Sequence, residues 1–304
     1  MKLLKYIAFQ KNKLFNQFDD IASQNRITNI YGLSRSLFAL SLLITLLFSE
    51  VETLFAQHLF DNPIFSRDLL ILNYFKLFKY EYLWLAKIPA ILFLIVVILG
   101  YYPRYTCIIH WWLSFSFFQS ASIIDGGDQI ITVMTFYLIP IGLMDGRKNH
   151  WNINSDNNRY KNFISYFLFL IMQIQTAILY LQAGIEKPYK VDEWRDGTAI
   201  YYWFNNNTFG GPQWIMSWLN PLLEFPLIIS ILTWGTIIFE LVLFGAFFMK
   251  KELKSKILPI AIIFHFSILL IHGLASFFFA ISGALIIYLL PSDTHLNFKS
   301  RKHD

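Results

Sequence analysis

Phe163-Ile-Ser-Tyr-Phe-Leu-Phe-Leu-Ile-Met-Gln-Ile-Gln-Thr-Ala-Ile-Leu-Tyr-Leu-Gln-Ala-Gly184 holds no Asp, Glu, Lys or Arg. A helix needs about 20 apolar residues to cross the hydrocarbon core of a bilayer, and this run has that length. It then turns polar at once, in Ile185-Glu-Lys-Pro-Tyr-Lys-Val-Asp-Glu-Trp-Arg-Asp-Gly-Thr-Ala-Ile-Tyr-Tyr-Trp203. Glu186, Lys187, Lys190, Asp192, Glu193, Arg195 and Asp196 stand there among Trp194, Tyr201, Tyr202 and Trp203. Charges packed against amphipathic aromatics suit a site at the bilayer surface, although an aromatic belt with ordinary loop charges has the same composition. Lys187 falls at the expected helix end, with Gly184 behind it and Pro188 ahead. An amine partly desolvated there can act as a base instead of a fixed cation.

The rest of the chain is of the same kind. Of 304 residues, 56% are hydrophobic and only 15% charged, where a soluble domain has about a quarter. The 31 Phe, 16 Tyr and 9 Trp supply interfacial anchors. Cys107 is the single cysteine, which excludes an intramolecular disulfide and a thiolate metal cluster; inside an apolar run it reads as a small buried hydrophobe. The expected fold is therefore all-α, a polytopic transmembrane bundle forming one domain over 1–304.

Eight spans are expected: Leu33–Phe48, Leu83–Gly100, Tyr105–Ile124, Gln129–Met144, Phe163–Gly184, Phe225–Met249, Ile257–Leu274 and Phe277–Leu290. Residues 1–30 have no uninterrupted apolar core with a cleavage site, and read as a cytoplasmic amphipathic segment. Residues 185–224 form an outer loop with a short interfacial helix around Trp214–Leu219. With both termini cytoplasmic, the inner segments hold Lys2, Lys5, Lys11, Lys13, Arg26, Arg35, Arg104, Arg147, Lys148, Arg159, Lys161, Lys250, Lys251, Lys254, Lys256, Lys299, Arg301 and Lys302. Arg67, Lys76, Lys79, Lys87, Lys187, Lys190 and Arg195 remain outside, the asymmetry that orients membrane proteins. The net charge of +5 is thus explained by membrane sidedness, and no nucleic-acid partner is implied. No Walker loop or dinucleotide-type glycine cluster occurs.

Few polar groups stand inside the spans. Glu240, in Ile237-Ile-Phe-Glu-Leu-Val-Leu, costs about 2.5–3.5 kcal/mol near mid-bilayer and must face the bundle interior, paired or protonated. Asp125-Gly-Gly-Asp128 sets two carboxylates at an outer turn, where Asp128 would cap the following helix or both would bind a ligand. His265 and His272 lie two turns apart on one helix face with no carboxylate at metal spacing, so no metal site is expected. Gln173, Gln175 and Gln182 read as interhelical hydrogen bonds, and His110 as a packed or interfacial residue.

Tyr180-Leu-Gln-Ala-Gly-Ile-Glu-Lys-Pro-Tyr-Lys-Val-Asp-Glu-Trp-Arg-Asp-Gly-Thr-Ala resembles the signature of the HTTM superfamily, which groups vitamin K-dependent gamma-carboxylases with bacterial membrane proteins. Asp125-Gly-Gly-Asp, Phe239-Glu-Leu and Phe264-His-Phe resemble it too. Within it, the length, the topology and the wording Trp194…Gly197-Thr-Ala are most similar to the SdpB family. That resemblance implies a multi-pass protein of the bacterial inner membrane. It would act with a small partner protein to mature a secreted antimicrobial peptide of the sporulation-delaying type. In the carboxylases, a lysine matching Lys187 is the base that deprotonates a reduced quinone. The large lumenal domain that holds their glutamate substrate is missing here.

Three readings stay open, and with them whether the protein is an enzyme. In the first, a maturation factor holds the peptide precursor in an outward groove built from Glu186, Asp192, Trp194, Asp196, Tyr201 and Trp203 beside Lys187, with Asp125 and Asp128 as further contacts. In the second, a membrane enzyme uses a quinol, with Lys187 as base and Glu240 and His265 tuning it, to modify a peptide or lipid. In the third, a scaffold or immunity protein does no chemistry; an ion pair of Lys187 with Glu186 or Glu240 would favour it.

Overall fold

The computed structural model describes residues 16, 18–61, 73–153 and 156–296. Most of the proposed 1–30 segment, together with Arg67, Lys299, Arg301 and Lys302, lies outside them. Among the described residues every regular element is helical, apart from one isolated bridge between Tyr101 and Asn149. The long helices are α1 (Asn29–Phe48), α2 (Leu83–Ile98), α3 (Pro103–Ser120), α4 (Gly126–Met144), α5 (Arg159–Lys190), α6 (Pro226–Gly245), α7 (Lys251–His272) and α8 (Ala275–Leu289). They occupy the eight expected spans, and the protein is an all-α polytopic membrane bundle.

Six of these helices are long and apolar enough to cross a membrane on those grounds alone. The exceptions have different physical causes. Helix α3 is diluted by polar residues such as Thr106, His110, Ser114 and Ser116, all buried against neighbours. Helix α8 has only 15 residues, yet every residue from Ala280 to Leu289 is buried. It is the central post of the bundle, packed by α1, α4, α5 and α7, and does not itself have to match the lipid thickness. Gly283 permits its close crossing with α1: a Cβ there would stand 2.7 Å from Phe38 Cε1 and 3.1 Å from the Ser34 carbonyl oxygen. Small residues at such crossings let helix backbones approach. Gly283→Val is expected to push α1 and α8 apart and destabilise the bundle by about 1–3 kcal/mol, read as a lower melting temperature in detergent.

Helix starts and stops follow from local chemistry. Thr28 caps α1, Asn158 caps α5, Pro103 stands in the first turn of α3, and Gly273 ends α7 with a left-handed φ of 71°. Two ends depart from expectation. Helix α3 stops at Ser120, because Ser122 N bonds the Leu54 carbonyl at 2.8 Å and its hydroxyl accepts from Ala56 N, tying the chain to the loop after α1. Helix α5 runs on through Pro188 to Lys190. Proline so near a helix end forfeits one backbone bond, the one to the Gly184 carbonyl, and Val191 N still closes the last turn on the Lys187 carbonyl at 3.1 Å.

Side-chain contacts show the helices alternating in direction. At one end, Arg147 reaches the Thr28 carbonyl, Arg104 bonds the Leu143 carbonyl, and Arg159 pairs with Asp19. At the other, Ser41 bonds the Ser276 carbonyl and Ser276 bonds Asp125. Among the described residues, Arg104, Arg147 and Arg159, assigned to the inner side, thus gather at one end of the bundle.

That end is locked by a buried polar cluster. Tyr31 donates to Asp145, which also takes two bonds from Arg147 at 2.8 and 2.9 Å. Beside it His150, wholly buried, meets Arg35 at 3.4 Å and Ser36 at 3.3 Å, and its ring lies over Gly32. Burial, reinforced by the Arg35 and Arg147 cations, pushes the His150 imidazole down from its usual 6.5 to about 2. A depressed histidine stays neutral when folded, so its contribution is complete above pH 6.5 and shrinks as pH falls toward 2. Between pH 7.5 and 5 the loss is about 2 kcal/mol. The melting temperature is expected to drop over that interval, and His150→Asn, less stable at pH 7.5, should show a flatter dependence.

Candidate functional site

Helices α5 and α6 pack closely because Gly184 has no side chain; a Cβ there would stand 2.8 Å from Leu241 Cδ2. One turn further along α5, Lys187 points at Glu240 of α6, and its Nζ lies 2.6 Å from both carboxylate oxygens. A third bond, 3.3 Å, goes to the Ala183 carbonyl. The three protons of an ammonium therefore have three acceptors. The Trp194 ring lies 5.5 Å from Nζ, within cation–π reach. Glu240 keeps 9% of its side-chain surface and Lys187 24%, so the pair is open on the lysine side alone. At 1.5 Å per residue, Glu240 lies about 20 Å along α6 from its start, which puts the pair between helices and not in the loop.

His265 of α7 stands behind this pair. Its Nε2 shares a 2.9 Å hydrogen bond with the Tyr180 hydroxyl, while Nδ1 has no partner among the described residues. The rings of Phe264 and Phe277 flank it at 5.0 and 5.7 Å. Tyr180 received no role from the sequence. Its signal was spacing: it lies seven residues before Lys187, two turns along one face of α5.

The remaining expected site residues divide into three groups. Trp194 is buried in a small core with Ala199, Ile200, Met216, Leu223 and Ile237, and roofs the pair. Glu186, Asp192 and Asp196 are exposed, with Glu186 paired to Lys190 at 2.7 Å and Asp192 to Arg195 at 2.8 Å. Such surface pairs contribute about 0–1 kcal/mol. Tyr201 and Trp203 are half exposed, and Trp203 faces His272 at 6.3 Å. The interfacial helix is Gln213–Leu223, longer than expected, with Trp214 and Trp218 outward.

Asp125 and Asp128 are engaged locally. Asp125, the cap residue in place of the expected Asp128, accepts from Gly127 N at 2.6 Å and Asp128 N at 3.1 Å, and from the Ser276 hydroxyl at 3.0 Å. Asp128 returns the bond to Asp125 N at 3.0 Å and is buried. This reciprocal capping box ties α4 to α8. Cys107 is buried and free, packed where α3 meets Gly142. No group of three metal-ligating side chains occurs among the described residues.

Two curated proteins are similar over nearly the whole length. The sporulation-delaying protein SdpB of Bacillus subtilis (strain 168) is 37% identical over 285 residues, 92% of this chain and 87% of the relative. The uncharacterized protein YitO of the same strain is 35% identical over 287 residues, 90% of this chain and 89% of the relative. No family model matches the chain. No solved structure matches it either.

Proposed function

The chain belongs to the SdpB family, and on that premise we propose that it serves in the production of a secreted peptide toxin of the sporulation-delaying type. The single observation that carries this reading is 37% identity over 92% of the chain with a relative of that name. The protein would work in the bacterial inner membrane with a small partner protein, its Lys187 side turned away from the cytoplasm.

Its part is to hold the peptide precursor. The Lys187–Glu240 pair is the feature expected of a scaffold without chemistry, and it supports a holding role over a chemical one, because each proton of the ammonium already has an acceptor in the fold. An amine base for a reduced quinone needs a free electron pair directed at that quinone, and this arrangement does not offer one. The arrangement therefore favours holding over quinol chemistry. The precursor would meet the exposed flank of Lys187 under Trp194, with Tyr201, Trp203 and the half-exposed outer loop as its rim.

The test is removal of the gene from a producer strain. Loss of extracellular toxin activity, restored by supplying the chain in trans, supports the reading. Normal toxin activity from a strain that now dies of its own product would mark an immunity protein and overturn it.

A further inference from the structure

We propose that the basic end of the bundle carries a binding site for the phosphate head of an anionic phospholipid. A cavity of about 340 Å³ opens there between α5, α7 and α8 and the chain segment before α1. That volume suits a headgroup, since small-ligand sites run from about 300 Å³ upward. The cavity is distinct from the Lys187 site, and none of its lining residues belongs to that site.

The charges on its wall do not cancel. Arg26, Lys251 and Lys254 face two carboxylates, Asp20 and Asp293. Asp293 takes Lys251 at 3.3 Å. Arg26 is occupied by the Ile21 and Gln24 carbonyls, at 2.6 and 3.0 Å, and by the Gln24 side chain. Lys254 has no carboxylate partner among the described residues. Its ammonium stands 5.6 Å from the rings of both Phe247 and Tyr288, and the half-buried side chain lines the cavity. One positive charge is left over, which matches a phosphodiester.

The apolar part of the wall selects a lipid as the source of that phosphate. Phe169 and Leu170 of α5 and Leu289 of α8 line the cavity, and beside them α5 exposes Phe167, Ile171 and Ile174 on its adjacent face. An acyl chain would run along that face while Lys254 holds the phosphate. Gln173 and Ser292, also on the wall, can bond the glycerol hydroxyls. Basic pockets between membrane helices are known to take anionic headgroups in this way.

The test uses the full chain, purified in detergent and melted with phosphatidylglycerol, phosphatidylcholine or glycerol 3-phosphate. Phosphatidylglycerol should raise the melting temperature by about 3 °C or more while the other two leave it unchanged. Lys254→Gln should lose most of that rise and Lys254→Arg should keep it. An equal rise with phosphatidylcholine, or a full rise in Lys254→Gln, overturns the proposal. A rise with glycerol 3-phosphate equal to that with the lipid overturns the lipid assignment in favour of a soluble phosphate compound. If Lys254→Gln does not fold, native mass spectrometry of the wild type in an equimolar lipid mixture decides. Preferential retention of phosphatidylglycerol supports the site, and equal retention of both lipids sinks it.

Discussion

Cells carrying Lys187→Ala at wild-type membrane levels are expected to export no active peptide, whereas Lys187→Arg keeps a substantial fraction. Alanine leaves the Glu240 carboxylate buried and unpaired between α5 and α6, and it removes the cation beneath the Trp194 ring. Arginine preserves the cation and can meet both Glu240 oxygens through its planar fork. A holding site needs the charge, while a base needs an amine that can give up its proton. Failure of both variants, with insertion and partner binding intact, would therefore return base chemistry to consideration. Normal export from both would show that the stretch around Lys187 only shapes the fold.

The second large effect is on stability, and it separates fold from function. Glu240→Ala deprives the Lys187 ammonium of its carboxylate, and because the lysine side is open the cost falls below the about 3–5 kcal/mol of breaking a fully buried pair. The double variant Lys187→Met, Glu240→Leu replaces the pair by apolar groups of similar size, and such exchanges are often neutral or stabilising. It should therefore melt near the wild type, well above Glu240→Ala, yet export no peptide. Export at the wild-type level from this double variant would sink the assignment of the pair to the site. Melting as low as that of Glu240→Ala would show that the pair specifies the α5–α6 packing.

The two helices of this pair also show how far sequence reading goes. A carboxylate in Ile237-Ile-Phe-Glu-Leu-Val-Leu has to face inward and find a partner, because lipid cannot solvate it. That much needs no coordinates. Which partner it finds depended on how far α5 extends. Pro188 read as a helix stop, and a stop there would have left Lys187 at the edge of a loop. The helix instead continues to Lys190, so Lys187 stays on the α5 face that packs on α6. Local rules could not decide this, since a proline near a helix end costs one bond that tertiary packing can outweigh. Asp125 and Asp128 illustrate the opposite case: turn residues ahead of an apolar run announced a cap, and the cap is what their oxygens serve.

The sequence alone determined that this is a membrane-spanning helical chain, how many long helices it has, and which segments are basic. Those properties follow from lengths of apolar sequence and from the cost of unpaired backbone in lipid, and both are local. Tertiary structure decided the rest: that the short α8 is the buried post, that Glu240 holds Lys187 while Tyr180 holds His265, and that Lys254 remains without a carboxylate partner among the described residues. These are pairings between residues far apart in the chain. They depend on where small residues such as Gly184 and Gly283 let two helices touch, and no local pattern encodes that.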